Sequence, residues 1–507
     1  MSTPDYFARK PAYHRTRTGG LTPNERSDRS SLSPRTPTFG RTLSSQYASP
    51  GAYRGDEESI IYAIGARSIQ VGFPGEPTPR AVQTFGPGDS RRVDDFRRWD
   101  PNTRRTASRN RGPWGKEWEL WGLDTRNTDL GLVGDKVERA VRTALTKYLL
   151  LDQRSRRAML ALPNGMSDPL LYIVLKAIFS SATPSSVSIW PNPLLATIAA
   201  GLRSSLVIDI GWEEVSVSAV YEYRQVLHRR SVRAAKHLVQ SVAQMLQEHT
   251  GPVGAREEMT FDTAEDIMER MAWCKMSDDS EDPDFDTTSM SLPIRTASGL
   301  STTLRVPFGS LAEPVERTCF EMESPLEHTD DHDLALHHLA YRCLLALPLD
   351  VRSICMSRIV ITGGVSNIPG LKPRLLREIE KLVKDGKWDP VMNYGSARKA
   401  NGQAAQGEGM TLPTRTTATE RNAPLDPSAQ TPFRDVHEKD DISEKLAREA
   451  AKRGEVTQGV VRGVETLGVW AGVSMAAHLK VEGMLEVRRD EFLRYGLASL
   501  GDRLDVI

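Results

Sequence analysis

Cysteine is scarce: Cys274, Cys319, Cys343 and Cys355 are the four in 507 residues, separated by 45, 24 and 12 positions. That spacing holds no CxxC pair for a zinc site and is too sparse for a disulfide framework, so a reducing, intracellular compartment is expected. Long apolar runs are missing as well. None approaches the roughly 18 residues of a membrane-spanning helix, and the first residues lack the apolar stretch of a secretory signal, so a soluble chain without a membrane span is expected. Net charge is also absent, with 66 Lys and Arg facing 66 Asp and Glu. The total therefore argues for no polyanionic partner, and direct nucleic-acid binding is not expected. Apolar residues make up 39% and mean hydropathy is −0.41, as for a folded core diluted by polar segments.

Three segments account for the dilution. Residues 1–57 form a basic Ser/Thr/Pro-rich tail; its first 55 residues hold 26 Ser, Thr, Pro or Gly and nine Lys or Arg against three acids. Burial there cannot offset the entropy of ordering, so the tail is expected to be disordered. Five Ser-Pro or Thr-Pro steps, at Thr3, Thr22, Ser33, Thr36 and Ser49, are places where proline-directed phosphorylation would erase the tail's net charge of +6. Residues 86–114 are arginine-rich and aperiodic, a polar excursion, and residues 394–438 are a low-complexity insertion.

Between these segments strands and helices alternate. Residues 58–64 and 69–73 read as two strands joined by a tight turn at Gly65, and residues 206–210 with 215–223 read as a second hairpin. Val137, Val141, Leu145 and Leu149 share one face of an amphipathic helix. A buried strand at 157–162 precedes a helix with Asp168 as cap and Pro169 at its first position. Helices are expected over 232–246, over 262–276 behind an Asp262/Glu265 capping box, over 333–345 and over 470–479, with a strand at 358–362. Hairpins followed by helices thus occur twice, and the fold class is α/β with two similar lobes around a cleft. The expected division is 58–205 for the first lobe, 206–370 for the second, 371–460 for the end of the second with the insertion, and 461–507 for a return to the first.

Four motifs stand in order: VGFPGEPTPRAV at 71–82, LVIDIGWEEVSVSAVYE at 206–222, RIVITGGVSNIPG at 358–370 and GVWAGVSMAAHL at 468–479. Together they resemble the actin superfamily, whose duplicated fold is shared by sugar kinases and heat-shock-type chaperone ATPases. The resemblance implies a nucleotide cleft in which backbone N–H groups of two hairpin turns hold phosphates and one aspartate from each hairpin organises hydrated Mg²⁺. At the matching positions the first hairpin has Ala63 for the aspartate, Arg67 for a turn glycine and Gln70 for the phosphate-binding lysine. Gly65 is retained. The second hairpin keeps Asp209 and Gly211 but carries Trp212 and Glu213 where an acid and a glycine stand, and a carboxylate at Glu213 would repel a phosphate. Asn192 occupies the place of the glutamine that orients attacking water. Gly363 and Gly364 survive on the adenosine side, followed by Ile368. ATP or ADP is left open as a structural ligand, Arg67 being the candidate replacement for the lost lysine charge; no catalytic residue is assigned.

A second cluster, Glu327, His328, Asp330, Asp331, His332, Asp333, His337 and His338, is rich in metal-ligand types. Acids ahead of a helix are expected to cap its positive end instead, and His337 and His338, being adjacent, to face different directions, so no metal site is assigned. Within the superfamily the degenerate hairpin, the PRAV segment and the aperiodic span after it are most similar to the fungal actin-related subunits at the pointed end of dynactin. That similarity implies a non-enzymatic, cytoplasmic and cytoskeletal subunit. It would cap an actin-like filament, touch the filament-forming actin-related protein and the other pointed-end subunits, and support dynein-driven transport indirectly. The alternatives are a nuclear actin-related subunit of a chromatin-remodelling complex and a divergent sugar-kinase-like enzyme, the latter disfavoured by Ala63.

Overall fold

A computed structural model describes residues 59–90, 92, 114–122, 124–151, 155–250, 259–276, 288–295, 301–322, 329–386, 459–478, 485–498 and 500. The expected tail, the 394–438 insertion, most of the 86–114 excursion, and Glu327 and His328 lie outside them. The chain divides into Met1–Arg54 and Gly55–Ile507, and all described residues belong to the second unit.

Thirteen strands are described: β1 (Ile60–Ile64), β2 (Ser68–Gly72), β3 (Ala81–Thr84), β4 (Ala158–Leu162), β5 (Ser186–Pro191), β6 (Ser205–Ile210), β7 (Val215–Tyr221), β8 (Arg224–Ser231), β9 (Ser289–Arg295), β10 (Ser301–Pro307), β11 (Ile359–Thr362), β12 (Gly463–Val464) and β13 (Leu485–Arg488). The first sheet runs β13-β5-β4-β1-β2-β3, the second β12-β11-β6-β7-β8, and β9 and β10 form a separate hairpin. Each large sheet is a three-stranded antiparallel meander extended by parallel strands: β4 beside β1 in one, β11 beside β6 in the other. The duplication expected from the two hairpins is therefore real, and the fold is actin-like.

The hairpins hold a third strand each that the sequence pattern did not reveal. β8, RQVLHRRS, is polar at most positions and reads as loop, yet it pairs along β7 from Ser231 to Arg224. Its arginines find acids: Arg229 pairs with Asp331, and Arg233, just beyond the strand, donates from Nε to Asp333 at 3.1 Å. The acidic run is thus not the cap expected of it. Asp330 caps only the short 3-10 turn Asp331–Asp333, and the α-helix starts later, at Leu336, after Ala335. Two other caps also move by one or two residues. Ser167 precedes the helix Asp168–Ser181, and Thr260 accepts the Thr263 N–H at the start of Phe261–Met271, leaving Glu265 free for a distant partner.

Helices Leu130–Thr143 and Asp168–Ser181 bury their apolar faces on the first sheet, around Tyr62, Ile69, Val137, Leu160 and Ile178. Helices Leu336–Leu345, Leu349–Met356 and Leu371–Asp385 do the same for the second sheet, around Ile208, Leu339 and Leu375. Between the sheets lie Asn192–Ala199 and Gly468–His478, which share a core with Ile61, Val207 and Val360. These two helices touch at Gly472, where a Cβ would collide with the Leu195 carbonyl, so only glycine allows the crossing. A fourth core joins Ala235–His249, Phe261–Met271 and the β9–β10 hairpin. The final segment does not return wholly to the first lobe, because β12 adds to the second sheet before β13 joins the first. No described helix is long and apolar enough to cross a membrane.

Candidate functional site

In each meander the first strand ends where its parallel neighbour ends, and a crevice opens beyond the carboxyl ends of such strands. Thr362 at the end of β11 is in register with Asp209 on β6, and Ala63 on β1 with Ala161 on β4. The two strand ends face a cleft of about 510 Å³ lined by Ala63, Gly65, Ser68, Gln70, Asn192 and Asp209. Gly363, Gly364, Ser366, Lys372, Thr466 and Trp470 complete it.

Four of the five glycine and aspartate positions singled out from the sequence meet here. Gly65 donates its N–H to the Ser68 carbonyl at 2.9 Å and closes the first turn. Gly363 has φ +96°, and a Cβ on it would strike the Ile210 backbone, so the strand end can pass β6 only as glycine. Gly364 has open space beside it. Gly211 does not line the cleft; its N–H donates to the Glu214 carbonyl at 3.1 Å and its own carbonyl accepts from Ala235, so it shapes the β6–β7 turn. Ser68, Ser366, Lys372 and Thr466 were missed. Lys372 and Thr466 sit at the edges of glycine-containing helix starts, a signal too common to single them out.

The polar groups in the cleft are poor in positive charge. Burial pushes the Asp209 carboxyl up to about 6, opposed by a hydrogen bond from Asn192. The Asn192 Oδ1 has no partner among the described residues. Gln70 is neutral, and the lining ammonium, Lys372, is bonded to Glu465 at 2.6 Å. A hydrated Mg²⁺–triphosphate would need a second carboxylate where Ala63 stands and a cation where Gln70 stands; these residues do not fit it.

Arg67 does not supply that cation. Its guanidinium pairs with Glu265, Nη1 to Oε1 at 2.7 Å and Nη2 to Oε2 at 3.1 Å, and lies 4.3 Å from the Trp212 ring centroid. Glu213 is likewise absent from the cleft lining, so its expected repulsion of a phosphate there does not arise; it accepts from Lys236 at 2.7 Å. Burial raises its carboxyl to about 7 despite that ammonium, with Glu119 nearby adding to the rise. The histidine pair also differs from expectation: the His337 and His338 rings lie 4.2 Å apart, and His337 stacks on Phe320.

With this geometry in place, similarity to known proteins is informative. The actin family model matches residues 314–401, which carry β11, Gly363, Gly364 and the following helix. The SWI/SNF and RSC complexes subunit arp42 of Schizosaccharomyces pombe is 45% identical over 50 residues, 10% of this chain and 12% of that protein. Actin-related protein 4 of Yarrowia lipolytica is 23% identical over 378 residues, 66% of this chain and 85% of that protein. The chain thus spans about an eighth of the first relative and most of the second. A two-lobed α/β fold closing on a cleft of this kind defines the actin-like class. The chain belongs to the actin superfamily, as an actin-related protein.

Proposed function

We propose that this actin-related protein is a non-catalytic subunit of a chromatin-remodelling assembly, acting in the nucleus as a folded platform for other subunits. The observation that carries the non-catalytic part is Ala63 facing Asp209 across the cleft: one carboxylate remains, pushed up to about 6 by burial, where the resemblance implied an aspartate from each hairpin around hydrated Mg²⁺. The similarity to a protein named as a SWI/SNF and RSC subunit supports the remodelling assembly over the dynactin filament end. Any nucleotide held in the cleft would be structural, its binding free energy adding to fold stability.

The test is affinity purification of the tagged full-length protein from its own cells, followed by mass spectrometry. Recovery of a remodelling helicase with other actin-related subunits is the expected result. Recovery of dynactin subunits instead would restore the cytoplasmic reading. In parallel, purified protein is expected to release phosphate from ATP no faster than buffer; metal-dependent turnover abolished by Asp209→Ala would refute the non-catalytic assignment.

A further inference from the structure

The segment 114–121, WGKEWELW, links two cores. Leu120 and Trp121 are buried with the first sheet, and the Leu120 N–H donates to the Ala66 carbonyl at 2.7 Å, inside the turn between β1 and β2. Trp114 and Trp118 instead pack on the core of the helices and hairpin attached to the second lobe. Their rings flank Phe261, with centroids at 5.0 and 5.3 Å, and Trp212 meets the same ring at 5.8 Å. Gly115 between them has φ +82°, and a Cβ there would press to 3.1 Å on Phe261, so the segment reaches this ring closely because glycine is present.

Polar bonds fasten the same junction. Glu119 is 4% exposed, and its Oε1 accepts from Trp212 Nε1 at 3.0 Å and from Lys236 Nζ at 2.7 Å. Arg67, in the first hairpin turn, crosses to Glu265 through two bonds while its guanidinium faces Trp212. Gly65 and Ser68 of that turn face the cleft, so the fastening sits directly behind the cleft wall. Hinge closure in two-lobed proteins needs surfaces on either side of the cleft that part and rejoin. Here those surfaces are joined by half-buried tryptophans packed on buried Phe261, a bidentate ion pair and a buried carboxylate with two donors, contacts that must all break together for the cleft to open.

We infer that segment 114–121, with Arg67 and Glu265, is a built-in strap that holds the lobes at one fixed separation whether or not the cleft carries a ligand. The strap replaces ligand as the element that sets the interlobe distance, and it is independent of which assembly the protein joins.

Spin labels at Val82→Cys on β3 and Ser289→Cys on β9 measure that distance in the full chain. Both positions are exposed, and the four native cysteines are buried, so labelling is confined to the introduced thiols. The expected result by double electron–electron resonance is one narrow distance distribution, unchanged by saturating ATP or ADP with Mg²⁺. A broad distribution, or a shift of the maximum on adding nucleotide, would overturn the inference. The variant Trp118→Ala/Glu265→Gln is expected to broaden the distribution and to raise amide exchange of residues 65–68 at least tenfold, with β6 and β11 unchanged. A folded variant that keeps the narrow distribution would equally overturn it. If the variant fails to fold, the single-state result on the labelled parent protein decides alone.

Discussion

Asp209 and His337 are each held away from their ordinary protonation, in ways that make opposite predictions with pH. The Asp209 carboxyl stands at about 6 against an ordinary 3.8, chiefly through burial. The folded state therefore holds its proton more tightly than the unfolded one, and stability falls as pH rises from about 4 to 6. Asp209→Asn is expected to stabilise the ligand-free protein above pH 7, by about 1–2 kcal/mol, and to lose that advantage at pH 4.5; urea midpoints at the two pH values check it. His337 behaves in the reverse sense. Burial beneath Phe320, with His338 and Arg374 adding repulsion, pulls it down to about 3 from 6.5. Its neutral form is present above pH 6.5, and stability drains away as pH falls towards 3, by about 2 kcal/mol at pH 5. Replacing it in His337→Gln should flatten the slope of the urea midpoint between pH 7 and 5; an unchanged slope would show that the charge is relieved in some other way. Neither shift was legible in the sequence. Asp209 was identified there as a family position, but its isolation depends on Ala63 and Asn192 lying beside it, which only folding brings about. Arg67 shows the same limit: counted along the chain it replaces a glycine beside a phosphate, and in space it turns away to a residue 198 positions distant.

Secondary-structure elements were more legible, because apolar periodicity is a local property. The strands of both hairpins, the buried β4 and β11, and the helices around Val137 and Leu339 follow from side-chain spacing alone. β8 did not, since its stability comes from pairing with β7 and from acids a hundred residues away. Helix starts erred by one to three residues, because several Ser, Thr and Asp side chains compete for each capping position and tertiary partners choose among them. The central helix pair offers the sharpest test at this scale. Gly472→Ala places a methyl group against the Leu195 carbonyl, and the helices must separate to admit it. A loss of about 3 kcal/mol or more is expected, read as a fall in the denaturation midpoint; Ser474→Ala in the same helix, which loses its bonds to Gly75 and Glu76, should cost less, about 1–2 kcal/mol. Equal effects would place the crossing tolerance elsewhere.

For the molecule as a whole, duplication was visible in hairpins followed by helices occurring twice, while the strap was not, since it lies at the end of an aperiodic stretch. The cleft also makes a whole-molecule prediction. With one carboxylate and no free ammonium among the described lining residues, any rise in melting temperature caused by ATP should be the same in excess EDTA as in Mg²⁺. A rise seen only with Mg²⁺ would mean that a metal is held by groups other than those lining the cleft.

The path of the chain has a consequence for its synthesis. β13 completes the first sheet beside β5, yet about 300 residues of second lobe are made between them, and β12 with the central helix Gly468–His478 also comes late. At translation rates of roughly 5–20 residues per second the ribosome needs about 15–60 s for that interval. Throughout it the edge of β5 lacks its partner, and the apolar floor around Ile61 and Val207, joined later by Val360, lacks the cover that Gly468–His478 supplies. The nascent polypeptide therefore presents an open strand edge and an oily surface for longer than most small domains take to fold, and its yield in cells should track the supply of factors that shield such surfaces until Gly468–His478 and β13 arrive.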